Sequence, residues 1–510
     1  MRCTFNNNQG ALLASVFLEL MTMRKSGILL HPTSFPGEWG IGELGSWAYR
    51  FVDFLEQSGQ QLWQILPLGP PGSGYSPYQA YSSVAFNPML ISLETLVENG
   101  WLCPEDLNES PEFPEFSVDF DAVIPFKRNL IRKAAAGFFQ NKSDPLRPEF
   151  NEFCERQRSW LNPFAEFAAL KEMNDDAAWT DWKVRDADKA GIADHKFIQF
   201  EAFREWGLLK KYCSDRGIQI IGDLPIFVAH DSADVWANPD LFDLDEEGSP
   251  RFIAGVPPDY FSDTGQCWGN PLYRWDVMER TGYRWWIERF RVMLQQVDII
   301  RLDHFRGFEK YWKIPSGSET AIDGRWVEGP GNRFFEALVK ALGKLPFIAE
   351  DLGYITPEVH ALRDRWQLPG MRVLQFAFGD ESADNPHKPY NFIRNCVAYT
   401  GTHDNNTTVG WFAGGDRAFA SDEVERAIRY LGAEDKDAVW SMIRLLLSSV
   451  ADTAILPMQD VLILGVDARM NTPATIEGNW RWRMRPEHLN PEIASRLYEL
   501  NRVYGRLPKK

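Results

Sequence analysis

Four acidic side chains, each placed directly after a short apolar run, are the residues with the clearest chemical meaning. Asp223, Asp303, Glu350 and Asp404 follow the runs in IQIIGD, VDIIRLD, PFIAE and VAYTGTHD. A buried strand gains nothing from an unpaired charge, because burying one without a partner is strongly unfavourable. One such acid is typical of a helix cap or a loop ion pair, whereas four at converging strand ends favour a single shared site.

Two of these carboxyl groups have different surroundings in the sequence. Arg301 and Asp303 are two residues apart, so both point to the same face of an extended strand, and the guanidinium is expected to keep Asp303 ionised. Glu350 follows the apolar residues 347–349 and precedes Asp351, and both features raise a carboxyl pKa. An ionised nucleophile beside a protonated acid is the arrangement that cleaves glycosidic bonds with retention, with the carboxyl groups about 5–5.5 Å apart.

A metal site is the weaker interpretation of the same residues. The pairs at 230–231, 303–304 and 403–404 each combine His and Asp, as in a metal-dependent barrel hydrolase. However, the sequence has no H-x-H or H-E-x-x-H spacing, and Arg301 beside the acids disfavours a cation. We therefore predict neither a metal nor a cofactor, and expect the histidines to bind sugar hydroxyl groups.

Eight short apolar runs alternate with helical patterns such as residues 421–431, which predicts a parallel α/β sheet. They are residues 27–32, 61–69, 218–228, 297–304, 346–353, 372–379, 397–404 and 461–465. Eight strands favour a (β/α)₈ TIM barrel, whose functional residues gather at the carboxyl ends of its strands. A doubly wound sheet is the alternative, but no G-x-G-x-x-G follows the first run and no GK[ST] occurs.

The uneven spacing of the runs predicts insertions into one catalytic barrel domain at 24–510. The stretches at about 90–205 and 229–280 are too long for simple strand connections, so we expect inserted subdomains there. Residues 1–23 are set aside as an N-terminal extension that is either a targeting segment or the product of a misassigned start.

The composition of the chain argues against several functional classes. The chain has 510 residues and a net charge of −17, which argues against nucleic-acid or anionic-membrane binding. The six cysteines are scattered without a C-x-x-C pair, and no stretch approaches about 18 consecutive apolar residues. We expect a cytoplasmic protein with reduced thiols and no membrane span.

Long motifs along the chain resemble those of the 4-α-glucanotransferases, also called amylomaltases or disproportionating enzymes, of glycoside hydrolase family 77 in the α-amylase clan. The resemblance extends from about Ser26 to the C-terminus. Its motifs include HPTSFPGEWGIGELG (31–45), GYSPYQAYSSVAFNP (74–88), VPPDYFSDTGQCWGNPLY (256–273), VDIIRLDHFRGF (297–308), FIAEDLGYITPEV (347–359), GTHDNNTTVGW (401–411) and RMNTPATIEGNWRWR (469–483).

The resemblance implies a barrel with insertions and no C-terminal β-domain, which transfers α-1,4-glucan segments between maltooligosaccharides with retention. It implies Asp303 as nucleophile, Glu350 as acid/base and Asp404 as the third carboxylate. The implied sugar-binding residues are Tyr78, Asp223, Trp268, Arg301, His304, His403 and Asn471. We expect a monomer or weak homodimer.

Two alternatives and one departure accompany this interpretation. A retaining amylase-type hydrolase would share the same carboxylates, and a glucan-binding protein on a decayed barrel is the non-enzymatic alternative. The family commonly has Gly where this chain has Ala474, so a positive φ there would strain the loop and affect acceptor preference.

Overall fold

A closed barrel of eight parallel strands forms the centre of the protein, as the sequence predicts. The structure is a computed structural model that describes residues 24–258, 262–414, 420–432 and 437–508; the predicted extension at 1–23 lies outside these residues. The barrel strands, in chain order, are β1 (Lys25–Leu29), β2 (Leu62–Gln64), β3 (Gln219–Pro225), β6 (Ile299–Asp303), β9 (Phe347–Ala349), β10 (Gly370–Val373), β11 (Cys396–Tyr399) and β12 (Thr453–Pro457). Each strand pairs with the next along the chain, and β12 pairs with β1 to close the ring.

The barrel interior is a packed core rather than a pore. Tyr399 is fully buried there, and its hydroxyl group donates a hydrogen bond of 2.9 Å to Gln64. The surrounding apolar side chains include Leu29, Leu62, Leu66, Ile221, Ile348, Met371, Val373, Val397 and Ile455. This filling leaves the carboxyl ends of the strands as the open face.

The predicted eighth strand at 461–465 is wrong. The eighth barrel strand is β12, eight residues earlier, and Val461 ends the short helix Met458–Val461 instead. Ile463 has a left-handed backbone with φ of 56° and is half exposed. Two short apolar runs follow each other here, and their composition could not show which one pairs in parallel with β1 and β11.

Helices connect the barrel strands and form most of the segment between β2 and β3. The helices of the described residues are Ser46–Gln57, Leu93–Glu98, Phe120–Gln140, Arg147–Arg156, Arg158–Met173, Lys189–Asp215, Ala233–Ala237, Trp275–Arg280, Arg284–Gln296, Gly331–Leu342, Pro357–Arg365, Thr408–Phe412, Ala420–Leu431, Ala438–Ser448, Met458–Val461 and Pro491–Val503. None of them combines the length and apolar character that a membrane crossing needs. The division of residues 24–510 into a barrel with insertions at about 90–205 and 229–280 stays a prediction.

A second, antiparallel sheet was not expected from the sequence. It contains β4 (Phe252–Val256), β5 (Gln266–Pro271), β7 (Lys310–Pro315) and β8 (Arg325–Glu328), in the order β5-β4-β7-β8. Its strands come from two different barrel connections, one before β6 and one after it. Trp268 and Cys267 on β5 lie in the wall of the cleft that the barrel opens into.

Gly27 on β1 tests the close packing of the barrel. A Cβ atom at this position would overlap the backbone carbonyl of Leu62 on β2. We expect Gly27→Ala to lower the free energy of unfolding by about 1–3 kcal/mol, because the two strands cannot separate without losing their pairing. Urea unfolding followed by circular dichroism measures the change.

Gly207→Ala is the matched control. Gly207 is exposed within the helix Lys189–Asp215, and a Cβ atom there would meet nothing within 4 Å. Since Ala is the better helix former, this substitution should leave stability unchanged or raise it by up to about 1 kcal/mol. Equal stability of the Gly27→Ala protein and the wild type would contradict the packing argument.

Candidate active site

The carboxyl ends of the barrel strands open into a cleft with a volume of about 950 Å³. Nine of the ten residues named from the sequence line it. They are Tyr78, Trp268, Arg301, Asp303, His304, Glu350, His403, Asp404 and Asn471. The barrel therefore brings together side chains that are up to 393 positions apart in the chain.

Arg301 is the central cation of this cleft. Its Nη1 donates to both carboxylate oxygens of Asp223, at 2.8 and 2.7 Å, and to Oδ1 of Asp303 at 2.9 Å. Burial alone would lower the pKa of Arg301, but the two carboxylates more than offset this and raise the pKa well above its usual value. The guanidinium thus stays charged and fixes the Asp303 side chain at the end of β6.

Glu350 lies in an environment that raises its pKa. Its two oxygens accept hydrogen bonds from the backbone N–H groups of His304, at 2.7 Å, and Leu352, at 2.8 Å. Burial raises the pKa of Glu350 to about 7, with a further increase from Asp303, against the lowering effect of Arg301. The carboxyl group therefore changes protonation near neutral pH.

The like charge that acts on Glu350 is not the one expected from the sequence. The sequence suggests Asp351 as the source of this charge, but the Asp351 side chain is fully buried and bonded to Arg363 and to the backbone N–H of Met371. The acting carboxylate is Asp303, which is distant in sequence. Consecutive residues at the end of a strand point in opposite directions, which is why the neighbour in sequence has no part in it.

His304 directly follows Asp303 in the chain, and its backbone N–H donates a hydrogen bond to Glu350. It has a left-handed backbone, with φ of 52° and ψ of 51°, which directs its N–H to Glu350. Its ring meets Trp268 edge-on at 4.8 Å, and Nε2 is buried without a hydrogen-bond partner among the described residues. Burial lowers the pKa of His304 to about 3, so the ring is neutral. A neutral ring nitrogen in the cleft wall can bind a hydroxyl group.

Asp223 lies beneath the cleft surface, unlike the other nine residues. Its side chain is fully buried, and besides Arg301 it accepts a hydrogen bond of 2.8 Å from the Tyr78 hydroxyl group. The Tyr78 ring stacks on His403 at 5.0 Å with an interplanar angle of 18°. Asp223 thus orients both a cation and an aromatic ring, and its direct contact with a sugar stays a prediction.

Asp404 is the third acid and remains half exposed to the cleft. Its Oδ1 lies 3.3 Å from Nε2 of His403 and accepts a hydrogen bond of 2.7 Å from Asn471. Burial alone would raise the pKa of Asp404, but His403 and Asn471 more than offset this and hold it below the usual range. For His403, burial lowers the pKa, and Asp404 more than compensates and raises it.

Trp480 is a cleft residue that the site prediction missed. Its ring lies 5.8 Å from Tyr78 and 6.0 Å from His403, and its backbone has a positive φ of 63°. An aromatic residue in a loop rich in Gly and Asn was the available signal. Ala474 in the same loop also has φ of 63°, so the strain considered for this position is present.

The alternative of a metal site finds no support in the geometry. Within 24–258, 262–414, 420–432 and 437–508, no group of three or more His, Cys, Asp or Glu side chains is placed to hold a metal ion. The His230 ring bonds to the carbonyl oxygen of Gly248, and Asp231 pairs with Lys171 at 2.6 Å. His230 and Asp231 therefore bond to partners other than the three cleft acids.

Comparison with known proteins agrees with this geometry. The family model described as 4-alpha-glucanotransferase, glycoside hydrolase family 77, matches residues 30–490. A 4-alpha-glucanotransferase from Synechocystis sp. is 50% identical over 96% of this chain and 99% of its own length. One from Thermus thermophilus is 47% identical over 95% of this chain and 99% of its own length.

A solved structure shares the whole architecture. The amylomaltase from Streptococcus agalactiae, in complex with acarbose, superimposes with a TM-score of 0.89 at 38% identity and covers 95% of this chain and 100% of its own. The amylomaltase from Corynebacterium glutamicum, at 19% identity and a TM-score of 0.77 over 97% of this chain and 76% of its own, shares the fold. The chain therefore belongs to the 4-α-glucanotransferase family, glycoside hydrolase family 77.

Proposed function

We propose that this chain transfers α-1,4-glucan segments from a maltooligosaccharide donor to glucose or another glucan, with retention, through a covalent glycosyl-enzyme. The observation that supports this most is the pair formed by Asp303 and Glu350. Arg301 holds the first as an ion-paired carboxylate, while burial raises the pKa of the second to about 7. A nucleophile and an acid in one cleft are what double displacement requires.

In the first step, Asp303 attacks the anomeric carbon of the donor while Glu350 protonates the oxygen of the departing glucan. This forms the glycosyl ester on Asp303 and leaves Glu350 ionised. In the second step, Glu350 removes a proton from an acceptor hydroxyl group, whose oxygen attacks the anomeric carbon and releases Asp303. Each step restores the protonation state that the other needs.

Asp404 grips the hydroxyl groups of the donor glucose and favours its distortion towards the transition state. Its low pKa keeps it ionised, so it accepts hydrogen bonds that strengthen as positive charge develops on the ring. Tyr78 stacks on the same ring, Trp268 lines the neighbouring position, and Arg301, His304, His403 and Asn471 complete the polar wall. Asp223 contributes from beneath through Arg301 and Tyr78.

Transfer and hydrolysis differ only in whether a sugar or water attacks the glycosyl-enzyme. Trp268 and the loop residues 472–476 line the same cleft as the acids and can hold an acceptor while excluding water. We further infer that the enzyme acts in the cytoplasm as a monomer or weak homodimer, without a cofactor or a nucleic-acid partner.

Incubation with maltotriose alone distinguishes transfer from hydrolysis. We expect glucose together with maltopentaose and longer oligomers, all with α-linkages, because an acceptor sugar outcompetes water in the second step. Chromatography with amperometric detection measures the products, and NMR reports the anomeric configuration. Products no longer than maltotriose would favour the hydrolase, and β-linked products would contradict retention.

Asp303→Asn tests the nucleophile. We expect turnover of maltotriose to fall by about 10³-fold or more, because the amide cannot form the glycosyl ester. Binding of maltoheptaose, followed by tryptophan fluorescence, should stay close to that of the wild type. Asp215→Asn, which removes an exposed carboxylate paired with Lys211, is the control and should keep full activity. Full turnover by Asp303→Asn would refute the assignment.

The pKa of Glu350 predicts the alkaline limb of the pH profile. Glu350 must be protonated to act as the acid, and its pKa in the folded protein is raised to about 7, so activity is retained below that pH and lost above it. We expect kcat/KM for maltotriose to fall by about tenfold per pH unit above pH 7. Glu350→Gln should remove this limb along with most activity. A constant kcat/KM from pH 6 to 9 would contradict the assignment.

A further inference from the structure

The segment 400–408, which follows β11 and carries His403 and Asp404, is fastened at both ends to one buried carboxylate. The Thr400 hydroxyl group donates to Oδ2 of Asp460 at 2.5 Å. At the other end, Thr408 donates to Asp460 twice, from its hydroxyl group at 2.7 Å and from its backbone N–H at 2.7 Å. Asp460 therefore sets the distance between the two ends of the segment.

Asp460 is a buried acid whose hydrogen-bond partners are neutral groups. It is 1% exposed, in the helix Met458–Val461 directly after β12. Only neutral donors contact it, and it forms no ion pair with a Lys, Arg or His side chain of the described residues. A buried carboxylate without a counter-ion is costly to desolvate, so stability alone does not explain an acid at this position.

Hydrogen bonds also hold the interior of the segment. Oδ1 of Asn405 accepts from the backbone N–H and the hydroxyl group of Thr402, each at 2.9 Å. Gln375, which follows β10, donates to the carbonyl oxygen of Asn406 at 2.9 Å. Asp404 therefore lies between residues that are bonded to each other or to the residues after β10.

The helix that carries Asp460 also supports the other partner of Asp404. Gln459 donates to the carbonyl oxygen of Ala468 at 3.2 Å, and the chain continues to Arg469 and Asn471. Arg469 donates to the backbone carbonyl oxygen of Asp404 at 3.0 Å, and Asn471 donates to its carboxylate. The helix Met458–Val461 thus bonds to both segments that contact Asp404. Asp460 bonds to the segment 400–408, and Gln459 bonds to Ala468, just before Arg469 and Asn471.

We propose that Asp460 is a positioning residue for the transferase reaction: by fastening Thr400 and Thr408 together, it holds the Asp404 carboxylate where it grips the donor sugar in the transition state. The inference rests on the proposed function, because it assigns Asp460 an effect on catalysis through Asp404. Asp460 does not touch the cleft, so its contribution to ground-state binding is small.

The test is steady-state transfer with maltotriose by Asp460→Asn. The amide has one acceptor oxygen and places an NH₂ group where Asp460 has its second oxygen, so it cannot accept all three hydrogen bonds that the carboxylate accepts from Thr400 and Thr408. We expect kcat to fall by about 10- to 100-fold while KM changes by less than about threefold, because a small misplacement of a transition-state contact lowers kcat selectively. Thr400→Val should reproduce part of the loss in kcat. Thr400→Ser, which keeps the hydroxyl group, should have a kcat close to that of the wild type.

A double-mutant cycle identifies the route of the effect. If Asp460 acts through Asp404, then Asp460→Asn added to Asp404→Asn should change the remaining rate by less than about twofold. Maltotriosyl fluoride as donor keeps these slow variants measurable. An equal loss in both backgrounds would show a general structural effect and overturn the proposal.

Asp144→Asn is the matched control. Asp144 is also a buried carboxylate with neutral donors, the Trp101 ring N–H at 2.7 Å and the Leu146 backbone N–H at 2.9 Å, but it lies outside the cleft. Its substitution should lower the unfolding midpoint and leave kcat unchanged. Unchanged kcat in a folded Asp460→Asn protein would overturn the inference alone, whereas wild-type protein that produces no longer oligomers would overturn the proposed function.

Discussion

One guanidinium nitrogen, Nη1 of Arg301, is shared between the carboxylates of Asp223 and Asp303, and the geometry of the cleft depends on it. Without this cation, Asp223 would be buried and unpaired, a change that costs about 3–5 kcal/mol for a broken buried ion pair. Tyr78 would also lose its oriented partner, since its hydroxyl group bonds to Asp223. The charge that fixes Asp303 thus also helps to orient the Tyr78 ring through Asp223.

The three cleft acids are chemically similar, but each has a different local environment. Asp303 is in contact with the guanidinium, Glu350 is desolvated and bonded to two backbone N–H groups, and Asp404 is surrounded by donors from His403 and Asn471. Under the proposed function, these surroundings suit a nucleophile, a proton donor and a sugar-binding carboxylate in one cleft. Three chemically similar groups can therefore take three different roles near neutral pH.

The support for these acids extends well below the cleft surface. The left-handed backbone of His304 directs an N–H to Glu350, and the positive φ of Trp480 brings its ring next to Tyr78. Residues with unfavourable backbone conformations persist only where the surrounding structure holds them, and these two lie in the cleft wall. Asp460 fits the same pattern, as an unfavourable buried acid beneath the segment that carries Asp404.

The sequence alone determined the fold class and the acids at the strand ends, because a buried strand that ends in charge is a local pattern. Tyr78, Trp268 and Asn471 followed from the family resemblance instead. The tertiary structure decided what depends on contacts between distant segments. Strand pairing selected β12 over residues 461–465, and the antiparallel sheet combined strands from two connections. The carboxylate that raises the pKa of Glu350 is Asp303 rather than the adjacent Asp351. The closed barrel brings together strand ends that are far apart in the chain, whereas adjacent side chains at the end of a strand point in opposite directions.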